Sequence, residues 1–527
     1  AISCFQPFWT ERISQQPCAM KRCSPLLLLS LVVLAVADKP EDAVAWLPGF
    51  ANTTWPFRVY SGLLDVPGPI NGYEALKIHY QFHTSRRDPK TDPVVTWHQG
   101  GPGGSSITVG LYGEMGAFVV GEHSNYLNPW AWNRVANMLY LESPAGSGGG
   151  SGYSMCISGG RPVTCRWSDT SQAEAYAHTL RAFFANFPEF AANPFYLAGE
   201  SYFGQYGPNI AHFILNTEPF ASVLNLRGIL LGNACWGGNS TCVVCNGPSE
   251  DKLDVDLYFG HGMYSAKLHS AIYQSCNFPT EYTDCSDLSA DWPAGHAVLS
   301  AKCKSLLTEM RKQAGPFNVY FLYDNCPQTQ AFLQRIGKDT SWLVRFIRRG
   351  VHDPHSTDKA LRALNGGYQW DCLGHTEAWI TRDDVRKALH LESYSPGASD
   401  FKYTLSGPAS ITLYPELVGK LRVLIYNGQA DACVPYNGNE QWISMLEEQG
   451  VLEEVKAWEP WFTTHNRTAA GYITRYQPTG SQKDFVFQTV RLAGHMVPQF
   501  QPEAGFAMFS NFLAADTQRR GWRELLV

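Results

Sequence analysis

Phe195-Tyr196-Leu197-Ala198-Gly199-Glu200-Ser201-Tyr202-Phe203-Gly204 is the stretch whose reading decides the fold. Phe195 to Ala198 is a short apolar run and reads as a buried strand. Gln205 to Asn216 carries Ile210, Phe213 and Ile214 at the spacing of one helix face. Between them, Ser201 stands on a tight turn that pushes its Oγ outward. The pattern that usually marks such a turn is Gly-x-Ser-x-Gly, and Phe203 occupies the last position, where a small residue normally lets the turn close.

Three further segments give that turn its meaning. The strand-like run Pro93 to Thr96 leads into Trp97-His98-Gln99-Gly100-Gly101-Pro102-Gly103-Gly104-Ser105-Ser106. Its glycines let backbone N–H groups approach a ligand closely, as an oxyanion hole requires. Arg422 to Gly428 reads as a strand that ends in Gln429-Ala430-Asp431 and places a carboxylate at the sheet edge. Leu492-Ala493-Gly494-His495-Met496-Val497-Pro498 presents a histidine in a tight loop. Alone, Asp431 reads as a turn residue and His495 as a hydrogen-bonded loop histidine. In the order Ser201, Asp431, His495 they match the chain order of α/β-hydrolase triads, which differs from the chymotrypsin and subtilisin orders. The expected fold is α/β: an α/β-hydrolase with a mostly parallel central sheet, flanking helices and an inserted cap.

The same segments, with Trp132-Asn133-x-x-Ala136-Asn137 and Leu141-Glu142-Ser143-Pro144-Ala145-Gly146, resemble the serine carboxypeptidase family. The resemblance runs from about Trp46-Leu47-Pro48-Gly49 to the C-terminus. It implies a peptidase that releases C-terminal residues from peptides and proteins through an acyl-enzyme on Ser201, with no cofactor and no metal. It also implies oxyanion donors at the N–H groups of Gly101 and Tyr202, a substrate pocket that includes Met496, and recognition of the substrate carboxylate by Gln99, Glu114 and Glu200. Two facing carboxyls must share a proton, so one of them titrates well above its reference value of about 4, and cleavage is expected to be best in acid. Three departures stand out: Gln99 replaces the usual Asn, Gly104 the usual Cys, and Phe203 a small residue. Relatives also include acyltransferases built on the same acyl-enzyme and a non-enzymatic protective partner of lysosomal enzymes. The retained Glu114 and Glu200 favour the peptidase.

Composition sets the remaining expectations. A net charge of −6 argues against a nucleic-acid partner. Met20-Lys21-Arg22 followed by the apolar run Leu26 to Val36 and Ala35-Val36-Ala37 reads as a signal peptide over 20–37, with 1–19 as an upstream, non-native segment. The run is shorter than the roughly 20 residues that span a bilayer, so no membrane anchor is expected. This points to the secretory pathway, either vacuole or lysosome or the extracellular space. A homodimer is an open option. Residues 38–234 and 371–527 read as two parts of one core, and 235–370, rich in cysteine and turns, as the inserted cap. The glycine-rich stretch 146–152 lacks nucleotide-binding spacing and reads as a flexible loop.

Cys4, Cys18 and Cys23 precede the cleavage site, which leaves an odd number of the 14 cysteines and therefore at least one thiol. Cys156 and Cys165 can close a local loop, and Cys235, Cys242, Cys245, Cys276, Cys285, Cys303 and Cys326 cluster. Cys242 and Cys245 read as disulfide-bonded cysteines rather than half a zinc site, because nothing completes the site. Sequons at Asn52, Asn239 and Asn466 fit a glycoprotein.

Overall fold

A strand that is apolar at nearly every position has two faces to bury, and belongs inside a parallel sheet covered by helices. The computed structural model describes residues 39–517 apart from 51–53, 122–124, 151–152, 237–244, 246–249, 279–298, 316, 324–373, 392–400 and 465–467. The signal segment, the sequons Asn52, Asn239 and Asn466, and Cys242, Cys285 and Cys326 lie outside the described residues.

Among the described residues, twelve strands form one sheet. They are β1 (Val59–Ile70), β2 (Tyr73–His83), β3 (Val94–His98), β4 (Asn137–Leu141), β5 (Met155–Ser158), β6 (Arg161–Val163), β7 (Phe195–Glu200), β8 (Leu226–Gly232), β9 (Arg422–Gly428), β10 (Leu452–Trp461), β11 (Gly471–Pro478) and β12 (Phe485–Val490). Their order is β10-β11-β12-β9-β8-β7-β3-β4-β2-β5-β6, with β1 paired to β2. The run from β12 through β4 is parallel, and antiparallel strands flank it on both sides. The strand–helix alternation of the sequence points to the parallel centre but not to these flanks. The β1–β2 hairpin turns at Asn71-Gly72, both with positive φ (49° and 81°), as a two-residue turn of Asn-Gly requires.

Helices cover both faces. On one, α1 (Asp169–Asn186) and α2 (Phe203–Asn216) contribute Tyr176, Leu180, Phe183 and Ile210 to the larger core. Between β8 and β9 come α3 (Glu250–Gly260), α4 (Ala266–Ser275) and α5 (Ala301–Ala314), which share a small core of Val255, Leu268, Ile272, Leu307 and Met310. The disulfide Cys276–Cys303 ties α4 to α5. Cys235–Cys245 and Cys156–Cys165 are also formed, and Cys433 is a buried thiol. On the opposite sheet face, α6 (Pro502–Thr517) buries Met508, Phe509 and Phe512 in the second core. Residues 147–150 make one helical turn where the sequence suggests only a loop. Among the described residues no helix is long and apolar enough to cross a membrane.

Register carries the fold to the site. Gly199 pairs with His98 and Glu200 with Gly232, so Gln99 and Asn233 both emerge beside the elbow. Gly232 pairs with Tyr426, and Gly428 with Val490, which brings the loops after β8, β9 and β12 to the same carboxyl edge of the sheet. That edge is where α/β sheets bind their ligands.

Candidate active site

Ser201 sits between β7 and α2 with φ of +62°, in the left-handed region. For a residue with a Cβ this costs on the order of 1–3 kcal/mol, and the surroundings hold it there. Its N–H donates to Gly232 O at 2.9 Å, and its carbonyl accepts from Gly204 and Cys235 N–H, each at 2.9 Å. Gly100 lies against the elbow so closely that a Cβ there would stand 2.5 Å from Ser201 Cβ and from Tyr202 N. Ser201 is partly exposed while Glu200 and Tyr202 are buried. The turn therefore offers its serine and little else.

Asp431 and His495 meet. His495 Nδ1 and Asp431 Oδ2 are 2.7 Å apart, and both side chains are buried. Asp431 also accepts from Cys433 N (2.9 Å), Val434 N (3.2 Å) and Asn233 Nδ2 (2.7 Å). Asn233 turns its Oδ1 to Gly428 N at 3.0 Å, so it joins the ends of β8 and β9 beneath the carboxylate. Burial works to lower the His495 pKa, but the charge and hydrogen bond of Asp431, with the charge of Glu200, outweigh it and raise the imidazole above its usual value. Nε2 of His495 is buried with no hydrogen-bond partner among the described residues, Ser201 Oγ included. An orphaned ring nitrogen of this kind costs about 1–3 kcal/mol. Hydrogen bonds of this type commonly tighten only when substrate is present.

The short segment 319–322 closes over these loops. Tyr320 O accepts the His495 N–H at 2.7 Å, Val319 O accepts the Ala432 N–H at 2.8 Å, and Leu322 N–H donates to Ala430 O at 2.9 Å. The Tyr320 ring stands edge-on to the imidazole with centroids 4.9 Å apart. A Cβ on Gly494 would fall 2.3 Å from Tyr320 O, so the approach depends on that glycine. Neither this strap nor Asn233 is legible in the sequence as part of the site. Tyr320 carries no motif, and Asn233 is marked only by its place directly after a strand.

The three residues expected to read a carboxylate also come together. Gln99 Nε2 donates to Glu200 Oε1 at 2.5 Å, while its Oε1 accepts from the Trp97 indole at 3.1 Å, which fixes the amide orientation. Glu114 lies near the end of the helical segment Ser106–Met115, whose start is capped by Ser105 Oγ accepting from Thr108 N at 2.9 Å. Glu114 faces Glu200, and both are buried. Burial first, then the charge of Glu200, holds the Glu114 carboxyl well above the usual carboxylate range. Burial also raises Glu200, against the opposing pull of His495 and the Gln99 hydrogen bond. Among the described residues, both oxygens of Glu114 and Oε2 of Glu200 lack any donor other than a proton of their own. A proton shared between the two carboxyls bridges one oxygen of each, which two ionised acceptors could not do.

The N–H groups of Gly101 and Tyr202 are not spent in turn, loop or cap hydrogen bonds among the described residues. Met496 is half-buried beside His495 and packs against the second core. Tyr202 is anchored from its far end, with its hydroxyl on Asp169 Oδ1 at 2.8 Å. Asp169 accepts in addition from Tyr403 Oη at 2.9 Å and Ser406 N at 2.8 Å. Burial nevertheless raises its pKa to about 6.

The sequence model of the serine carboxypeptidase family matches residues 48–515. The chain belongs to the serine carboxypeptidase family. Serine carboxypeptidase-like 31 of Arabidopsis thaliana is 30% identical, over 93% of this chain and 94% of its own. The lysosomal protective protein of Mus musculus is 29% identical, over 93% and 98% respectively. Among solved structures, the prohormone-processing carboxypeptidase Kex1 of Saccharomyces cerevisiae superposes with a TM-score of 0.59 at 18% identity, covering 90% of this chain and 96% of its own. That likeness is one of fold, and the fold is that of the α/β-hydrolases.

The bulk of Phe203 at the elbow needs an explanation, and the packing around it supplies one. Glycines lie on either side of the ring: a Cβ on Gly199 would fall 2.4 Å from Phe203 Cγ, and one on Gly207 2.8 Å from Cε1. The His98 ring packs at 5.5 Å. The bulk is accommodated inside the first turn of α2, away from Ser201.

Proposed function

We propose that this chain is an acid-favouring serine carboxypeptidase that removes single residues from the C-termini of peptides and proteins. One observation carries the reading. Two facing carboxyls, Glu114 and Glu200, the latter held by Gln99, are buried immediately behind the elbow serine, where together they suit a substrate's own C-terminal carboxylate.

In this reading Ser201 Oγ attacks the scissile carbonyl, and His495 Nε2 takes its proton and returns it to the leaving amine. Asp431 holds the imidazole by Nδ1 and stabilises the imidazolium that forms. The N–H groups of Gly101 and Tyr202 stabilise the oxyanion. Water then resolves the acyl-enzyme by the same path. The protonated carboxyl donates to the substrate carboxylate, so recognition is strongest where the pair keeps its proton. The disulfides and the kinship with a protein named lysosomal support a route through the secretory pathway.

A cleavage profile on N-blocked peptides, each with a free or an amidated C-terminus, tests the reading. Release of the last residue from the free acids, falling as pH rises, is expected. Equal cleavage of acids and amides at every pH refutes it.

A further inference from the structure

One row across three neighbouring strands ends at the acid pair. Glu200 on β7 pairs with Gly232 on β8, and Gly232 pairs with Tyr426 on β9. Residues in such a row project to the same face of the sheet. Neighbouring strands lie about 4.7–4.9 Å apart, so the Glu200 and Tyr426 backbones are about 10 Å apart with only a glycine between them. The Tyr426 ring fills the space that this glycine leaves: a Cβ on Gly232 would fall 2.5 Å from Tyr426 Cζ and 2.5 Å from its Oη. The phenol therefore lies across β8, with its hydroxyl end carried toward Glu200.

Tyr426 is fully buried, and its Oη has no hydrogen-bond partner among the described residues; nor does Oε2 of Glu200. Phenylalanine would fill the same volume without burying an unsatisfied hydroxyl, so packing alone gives no reason for a tyrosine. Burial, then the charges of Glu200 and Glu114, hold the phenol well above its usual pKa, and it keeps its proton throughout the range in which the pair titrates. Other titratable groups also face the pair. His495 and Asp431 act on Glu200 by charge, Tyr320 of the strap lies in the field of Glu200, and Tyr140 lies in the fields of Glu114 and Arg86. Tyr426 is the hydroxyl that the sheet row itself aims at Glu200.

We propose that Tyr426 is a positioning residue for recognition of the substrate carboxylate: its hydroxyl, laid across Gly232, donates to the Glu200 carboxylate and leaves the shared proton with Glu114. Hydrogen bonds of this type commonly close only when substrate is bound. The inference rests on the carboxylate-recognition reading given under Proposed function.

The test follows KM from about pH 5 to 9 for an N-blocked peptide with a free C-terminus and for its C-terminal amide. The proteins compared are wild type, Tyr426→Phe and a variant with fluorotyrosine installed at position 426 alone. A hydrogen bond to the charged form of an acid favours ionisation, so its loss lets the pair hold its proton to higher pH. Tyr426→Phe is therefore expected to move the midpoint of the free-acid KM climb upward by about one pH unit, with KM for the amide within about threefold of wild type. Fluorine on the ring makes the phenol a stronger donor, so fluorotyrosine is expected to move the midpoint downward. This variant keeps the shape of the native side chain and decides the question if Tyr426→Phe does not fold. A midpoint unmoved by either change, or moved opposite to these directions, overturns the proposal. So does an equal change of KM for the amide, which marks a merely structural role. A wild-type free-acid KM that does not climb with pH overturns the recognition reading and this inference with it; a climb whose midpoint ignores position 426 overturns this inference alone.

Discussion

Replacing Glu200 by Gln separates peptide recognition from general acyl chemistry. In the wild type, Glu200 Oε1 accepts from Gln99 while the other oxygen faces Glu114. A glutamine of the same shape keeps the acceptor toward Gln99 and turns an NH₂ donor toward Glu114. It has no proton to lose. As pH rises in the wild type, the pair gives up its shared proton, and a bound substrate carboxylate then faces one more negative charge. At about 4 Å and an effective dielectric near 20, that repulsion is worth up to about 4 kcal/mol. At about 1.4 kcal/mol per tenfold, this bounds the rise in KM at about a thousandfold. The donor hydrogen bond lost with the proton falls within the same range, at about 1.5–3 kcal/mol.

The assay follows KM and kcat/KM from about pH 5 to 8 for a free-acid peptide and for an ester lacking a carboxylate. Wild-type peptide KM is expected to climb with pH, and Glu200→Gln to flatten that climb. The ester reports His495 instead, since its kcat/KM rises as the imidazole loses its proton. Glu200 helps to raise the His495 pKa, so removing its charge lowers that pKa and moves the ester limb to lower pH. A wild-type peptide profile identical to the ester profile, or a Glu200→Gln variant whose peptide KM still climbs while the ester limb stays put, refutes the reasoning.

Ser201→Ala is expected to lose several orders of magnitude in kcat, with serine-directed phosphonylation of the wild type confined to Ser201. Ser201→Gly should be equally inactive but more stable by about 0.5–1 kcal/mol in thermal or denaturant unfolding, because glycine relieves the positive φ. Asp169, held near a pKa of about 6 against an unfolded value near 3.9, binds its proton more tightly when folded, so its contribution falls as pH rises from about 4 to 6. Wild type should therefore lose about 2–3 kcal/mol across that window relative to Asp169→Asn, as read from unfolding at both pH values. Alkylation of the denatured protein without reductant, followed by mass spectrometry, should label Cys433 and leave Cys156–Cys165, Cys235–Cys245 and Cys276–Cys303 unlabelled.

Local chemistry accounts for the features that are legible in the amino-acid sequence. The strand, turn and helix around Ser201 are encoded within about twenty consecutive residues, since an apolar run, a glycine and a helical face are each short-range signals. Asp431 likewise stands at the end of a legible strand and His495 in a legible tight loop, and their chain order names the fold. The Gln99, Glu114 and Glu200 cluster is legible only through resemblance, because no local pattern says that residues a hundred positions apart share a proton.

Tertiary structure decided the rest. Strand register, set by which apolar faces are buried together, places Gln99 against Glu200 and Asn233 under Asp431. The antiparallel flanks and the Tyr320 strap over His495 are both long-range packing events. So are the pKa shifts of Glu114, Glu200 and His495, because burial and neighbouring charge exist only once the chain has folded. The sequence by itself determined which residues are capable of the chemistry, through their types and local turns. Only the folded packing determined which of them meet, and in what state of protonation.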